Sequence, residues 1–369
     1  MSQPLLRFID PERDGAVFFA TLRQRVDAYF KAQTIDKHSD QRMVIKTILM
    51  LALYIVPFTL ALLLHPVSWA AVVLGLLMGL GLAGIGMCVM HDAVHGAYSR
   101  SHKINKLIGY SIHLLGASLI NWKIQHNVLH HTYTNVVTHD EDIQDKLILR
   151  FSPHTEVKWY HKLQVVYALF FYSLMTLYWT TVKDFVQYQR YSKKGLVKEK
   201  HYLLDLLKLT FGKLLYFFVV LVMPVYLFHC SWTQTLLLFF SMHFVAGIVL
   251  TVVFQLAHTV DETNYPLPDS SGVIHNNWAV HQLQTTVDFA RESKILTWYL
   301  GGLNFQIEHH LFPAICHVHY PAIAKIVEAT AHEFGLPYYQ HPTLFAAIQS
   351  HLQALVKFGR LPQPSEAIV

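Results

Sequence analysis

Residues 67–95 read VSWAAVVLGLLMGLGLAGIGMCVMHDAVH: an apolar run broken only by small residues, ending in two histidines four positions apart. Val67–Met90 contains no charged side chain, and its length suits the roughly 20 residues that cross a hydrocarbon core of about 30 Å. The run passes directly into His91-Asp92-Ala93-Val94-His95. A pair of imidazoles, the commonest metal-ligating side chain, therefore stands where a membrane helix would reach the surface.

Working outward, three more stretches are apolar enough to span: Val44–Leu64, Phe211–Phe228 and Gln234–Ala257. They pair the spans into two hairpins, whose tips are His65-Pro66 and His229–Thr233. Neither tip holds a Lys or Arg, while the rest of the chain holds all 29. Positive charge stays on the cytoplasmic side, so the tips are expected outside and the N-terminus, middle and C-terminus inside. Two further stretches, Ile104–Ile120 and Leu163–Val182, would separate the histidine motifs across the bilayer if either crossed alone. They are read as interfacial helices.

The composition agrees. Of 369 residues 53% are hydrophobic and only 14% charged, against about 25% charged in ordinary soluble domains, which excludes both a soluble domain and a disordered chain. The 25 histidines outnumber the 24 Asp and Glu combined. Cys88, Cys230 and Cys316 are too scattered for a disulfide framework or a CxxC zinc site. A net charge of +5 without aromatic–basic tracts does not indicate nucleic acid. The organisation expected is a cytoplasmic N-terminal segment (1–43), a membrane catalytic domain (44–320) and cytoplasmic C-terminal helices (321–369). Pro321 and Gly335 bracket one of these helices; Thr343 and Gly359 bracket the other. The fold class is all-α integral membrane, with four spans, interfacial helices and a cytoplasmic helical cap.

Three histidine groups follow apolar segments: His91/His95, then His126-Asn127-Val128-Leu129-His130-His131, then Gln306-Ile307-Glu308-His309-His310. Residues four apart on an α-helix share a face, so each group can offer two rings to one ion. His258, at the cytoplasmic end of the fourth span, joins them. Eight histidines and Gln306 exceed what one ion uses, so two metals is the economical count. Asp92, Glu308 and Gln255 are placed to orient the rings. The run His139-Asp140-Glu141-Asp142 reads either in the same way or as a solvated loop. His281 is read as a surface or ring-supporting residue, mid-span His243 as an interhelical hydrogen bond, and His317 and His319 as solvent-facing. His332-Glu333 lacks the second histidine of a zinc protease helix.

The HDxxH, HxxxHH and QIEHHLFP boxes resemble those of the membrane-bound fatty acid desaturases. A third box opening on Gln306 resembles the front-end branch, which acts between an existing double bond and the carboxyl end. The resemblance implies a di-iron centre held by His91, His95, His126, His130, His131, His258, His309 and His310. It leaves open whether Gln306 binds, because histidine occupies that position in other branches. It further implies O2 as co-substrate and a fatty acyl substrate, as acyl-CoA or acyl-lipid. Trp122 and Tyr133 would contact the chain; Arg100, Lys103 and Lys106 read either as contacts to a phosphate on its carrier or, with slightly more weight, as ordinary positive-inside anchoring. No His-Pro-Gly-Gly haem motif occurs, so an external carrier, a ferredoxin or a b-type cytochrome with its reductase, is expected to deliver electrons. The N-terminal segment shows no secretory signal, which favours a bacterial inner membrane over the endoplasmic reticulum. The rival readings are a lipid or carotenoid hydroxylase or ketolase with the same metal chemistry, and a non-enzymatic haem or metal-transport protein.

Overall fold

The computed structural model describes residues 6–11, 13–143 and 148–361. The outer ends of the expected N- and C-terminal segments (1–5, 12 and 362–369) and residues 144–147 lie outside the described residues. The chain divides into two compact units. Among the described residues, one takes 40–124 and 170–252; the other takes those of 6–39, 125–169 and 253–361.

In the first unit, four helices are long and apolar enough to cross a membrane: Gln41–Leu64, Ser68–Val94, Glu199–Tyr226 and Trp232–His258, the last ending in the second unit. Asp40 starts the first by accepting from the backbone N–H of Arg42 and Met43. Small residues let these helices meet closely, as membrane helices do in the absence of a hydrophobic drive between them. A Cβ on Gly81 would lie 2.7 Å from the backbone nitrogen of Tyr54, and one on Gly79 or Gly75 would lie 2.5 Å from a carbonyl of the Trp232 helix. Gln234 joins the hairpin tips, donating from Nε2 to the carbonyls of His65 (3.1 Å) and Pro66 (2.5 Å). Only 22% of the best apolar window of Glu199–Tyr226 and 33% of that of Gln41–Leu64 is buried, against 67% for Ser68–Val94. The two outer helices thus present apolar side chains such as Ile48, Leu63, Phe211 and Leu214 outward, which water would penalise and a lipid core accepts.

The third long helix begins well before Phe211. Its start was obscured in the sequence by Lys200 and Lys208; Lys213, inside the expected span, is buried against Asp184. The Leu163–Val182 stretch is not one straight interfacial helix. It belongs to two helices, Trp159–Ser173 and Met175–Lys193, that meet at 56° and are together long and apolar enough to form a fifth, broken crossing. Mid-span His243 is held as expected, by Tyr216 Oη (2.7 Å) and Thr176 Oγ1 (3.0 Å).

The second unit has its own core. Phe18, Leu22 and Val26 on Asp14–Gln33 pack with Ala279 and Leu283 on Trp278–Thr285, with Ile307 and Leu311 of the third box, and with Ile323 and Val327 on Tyr320–Glu333. The apolar spacing of three and four residues explains why each helix turns one face inward. The two C-terminal helices start as expected: Pro321 sits in the first turn of Tyr320–Glu333, and Thr343 Oγ1 accepts from Ala346 N at 3.1 Å in Leu344–Arg360. Gly335 follows the first of them in the left-handed conformation, φ +65. Buried Arg150 and Gln164 complete the end of the second, donating to the carbonyls of Leu361 (2.7 Å), Phe358 and Leu355 (2.7 Å).

Two details depart from a purely helical cap. Arg7–Ile9 pairs in parallel with Val273–His275, and Asp288–Phe289 with Gln340–His341. His317 and His319, expected in solvent, are 2% and 6% exposed. His319 turns Nε2 to the His38 carbonyl (3.1 Å) and its ring to Phe30.

Candidate metal centre

Six of the eight expected ligands fall in the second unit, and the fold brings them together. His126, His130 and His131 come from a segment whose winding is not α. Lys123–His130 forms a π-helix leading into the short helix His131–Tyr133. In a π-helix the hydrogen bond skips five residues rather than four, so residues four and five apart straddle one face. All three rings of HxxxHH therefore converge: His126 lies 5.4 Å from His130 and 4.7 Å from His131 between centroids. A regular α-turn would have carried His131 away.

His258, at the end of its long helix, and His310, in the short helix Gln306–Leu311, close two triangles. His130, His258 and His310 have centroids 4.7 to 4.9 Å apart. Around the second triangle, His131 lies 4.6 Å from His309 and 4.4 Å from His310. In each triangle one nitrogen from every ring lies within 4.8 Å of the others, and every ring is buried. His126 joins the second group, its Nε2 3.3 Å from His131 Nε2.

Nδ1 of four of the rings meets an oxygen. His130 Nδ1 faces the Asp140 carboxylate at 3.1 Å, and His258 Nδ1 faces the Thr285 carbonyl at 3.2 Å. His309 Nδ1 meets Tyr320 Oη at 3.2 Å, and His310 Nδ1 meets Gln282 Oε1 at 2.8 Å. A ring that donates from Nδ1 keeps its lone pair on Nε2, the arrangement a metal-binding imidazole needs. Among the described residues, Nε2 of His130 and of His258 has no hydrogen-bond partner. A buried polar atom left in that state is costly unless something outside the chain satisfies it. For His130, burial opposes the charged ring. The nearby Asp140 and Asp142 carboxylates outweigh burial and hold its pKa above the ordinary histidine value.

His91 and His95 belong to the first unit. They emerge from a π-helical turn, Ile85–Met90, into His91–Val94, and their rings lie 4.8 Å apart. Asp92 approaches His91 Nδ1 no closer than 3.9 Å. The other expected supporting residues stand elsewhere. Gln255 Oε1 accepts from Thr259 Oγ1 (2.6 Å). Glu308 is buried with Asp288 and Tyr338, whose Oη lies 2.9 Å from a Glu308 oxygen and 2.7 Å from an Asp288 oxygen. Burial and the neighbouring Asp288 push Glu308 far above the usual carboxylate range. Gln306 is buried one turn before His310, and its Nε2 has no partner among the described residues.

The residues expected at substrate are dispersed. Trp122 stacks on Trp179 at 5.4 Å, in the first unit. Tyr133, in the second, packs on Phe8 and His139 and donates to the Leu6 carbonyl at 3.1 Å. Arg100 and Lys103 are exposed. His281, read as a surface or supporting residue, is 1% exposed and packs on Phe8. Sequence reasoning missed Gln282, Thr285 and Tyr320 as ring partners. Only Asp140 had a signal, its place in an acidic run beside the second box.

This donor set fits iron, for which imidazole is an ordinary ligand. The sequence model of the fatty acid desaturase family matches residues 67–342. The chain is 36% identical, over 96% of its length and 74% of the relative's, to an acyl-lipid (8-3)-desaturase of Physcomitrium patens. It is 34% identical to an sn-1 linoleoyl-lipid 6-desaturase of Arthrospira platensis, over 94% of each chain. A Delta(5) fatty acid desaturase A of Dictyostelium discoideum is 32% identical over 94% of this chain and 75% of that one. The chain belongs to the fatty acid desaturase family: a multi-pass membrane oxidoreductase acting on fatty acyl chains.

Proposed function

We propose that this enzyme is an O2-dependent front-end desaturase. It would set a cis double bond on the carboxyl side of an existing one, in an acyl-lipid or acyl-CoA, with two irons held by His91, His95, His126, His130, His131, His258, His309 and His310. The observation that carries the proposal is the pair of buried rings His130 and His258, whose Nδ1 atoms face oxygens that can only accept and whose Nε2 atoms have no partner among the described residues. Bound iron supplies the oxidising power to remove hydrogen from an unactivated C–H bond, which no side chain possesses.

The protein's own work is to hold and to exclude. Asp140, Thr285, Tyr320 and Gln282 fix ring orientation, and burial of all six rings in the second unit keeps bulk water from the reacting atoms. The reaction balances when the substrate gives two hydrogens and O2 becomes two waters, which needs two protons and two electrons more. Those electrons come from outside the chain, from a ferredoxin or a b-type cytochrome with its reductase.

Front-end placement is supported by the relatives. The Arthrospira enzyme is named for a linoleoyl-lipid, an already unsaturated substrate, and for position 6. The Physcomitrium relative is named as an acyl-lipid desaturase, which favours a lipid carrier over coenzyme A. The site would face the cytoplasm, by the distribution of Lys and Arg, in a bacterial inner membrane.

The test is expression in a host fed defined fatty acids, with mass and double-bond position read from its lipids. A product two mass units lighter, lost in His309→Ala, is expected. A gain of sixteen mass units would instead establish a hydroxylase, and product retained in His309→Ala would refute the ligand set.

A further inference from the structure

Gln282, on the helix Trp278–Thr285, is fully buried and touches both of the boxes that lie in the second unit. Its Oε1 accepts from His310 Nδ1 (2.8 Å) and lies 2.9 Å from Thr134 Oγ1; its Nε2 donates to the His131 carbonyl (3.3 Å). An amide can be turned over, and its two orientations have opposite consequences. With Oε1 toward His310, the ring must carry its proton on Nδ1 and its lone pair on Nε2. Turned over, the amide would donate to Nδ1, move the ring proton to Nε2 and block that nitrogen as a ligand.

The choice is made by His131. Its carbonyl sits where the short helix ends, so no following turn uses it, and Trp278 Nε1 (2.9 Å) and Gln282 Nε2 satisfy it instead. Turning the amide would set Gln282 Oε1 against that carbonyl, two acceptors facing each other in a buried place.

We propose that Gln282 is a positioning residue. It reads the backbone of the second box at His131 and sets the tautomer of His310 in the third, so that His310 Nε2 is available to iron. This rests on the ligand set proposed above.

The experiment measures iron retained per chain by the purified, detergent-solubilised full-length protein dialysed against graded chelator, with thermal unfolding recorded alongside. Gln282→Met keeps the volume and removes the acceptor, and is expected to weaken iron retention about 10- to 100-fold. Gln282→Glu keeps an acceptor for Nδ1 and, protonated on its other oxygen, a donor for the His131 carbonyl, and should hold iron within a few-fold of wild type. If Gln282→Met does not fold, Gln282→Asn, which withdraws the acceptor by one methylene, takes its place with the same expected loss.

Wild-type retention in the acceptor-lacking variant overturns the proposal, as does equal loss in Gln282→Glu, which would make the residue merely structural. His258→Ala separates the two readings. If it retains all its iron, the ligand set itself is wrong; if it loses iron while Gln282→Met does not, only the role of Gln282 falls.

Discussion

Two buried polar clusters, one in each unit, look alike in composition and differ in closure. In the first, Lys213 donates its three ammonium hydrogens to Asp184 Oδ2 and to the Gly116 and Trp179 carbonyls, each at 2.6 Å. Asp184 also accepts from Ser118 N (3.0 Å) and Trp179 Nε1 (3.2 Å). A lysine on a membrane helix invites a functional reading, but here every donor is used and nothing is left to bind a ligand. In the second, His130 and His258 meet oxygens at Nδ1, and their Nε2 atoms are unpartnered among the described residues. Closure marks a structural pin. One-sided satisfaction marks a site awaiting a ligand.

That contrast is broken most severely at the rings. Replacing His130, His258 or His310 with Ala is expected to abolish product, at least 100-fold below wild type, and to lower bound iron, while the thermal midpoint in apoprotein changes little. Product analysis and metal content check both halves. Lys213→Met should do the opposite. It strands the Asp184 carboxylate, a loss of about 3–5 kcal/mol for breaking one side of a buried pair. Unfolding scans should show a large fall in midpoint, partly recovered in Lys213→Met/Asp184→Asn, with iron per folded chain unchanged.

A smaller effect separates acid sensitivity from metal binding. Burial lowers His351 to about 4, and its Nδ1 donates to the Thr259 carbonyl at 2.7 Å. Above the unfolded histidine pKa, about 6.5, both states are neutral and this ring causes no penalty. Below it the unfolded chain takes up a proton that the folded one refuses, so stability is lost as pH falls from about 6.5 toward about 4. His351→Gln should flatten that part of the profile in thermal unfolding read at several pH values. An unchanged slope would mean that the ring protonates freely in the fold. The smallest effect is expected at the exposed loop carboxylate of Asp269. Val273 N, Ser271 and His275 hold it well below the usual range. Its contribution is present above the unfolded pKa and lost in strong acid, and Asp269→Asn should remove only that shallow loss.

The same contrast explains what the sequence could say. Charge-free runs made the spans legible, and His/His spacing made the ligands legible, because both signals are local. The π-winding that brings His131 beside His126 is a backbone choice that residue identity does not announce. Gln282 and Tyr320 lie 28 and 11 residues along the chain from the third-box rings they meet, on other helices, and carry no periodic signal. Lys200, Asp205 and Lys208 hid the early turns of the third long helix, since their charges argue for solvent. The paired strands, two or three residues each, are too short to show alternation. His317 and His319 were misjudged because polarity was taken for exposure.

Metal stoichiometry of the purified chain tests the central claim most directly. The account predicts two irons per chain and no haem absorbance, with iron falling in His130→Ala and in His258→Ala. A Soret band, or full iron retained in both variants, would contradict it.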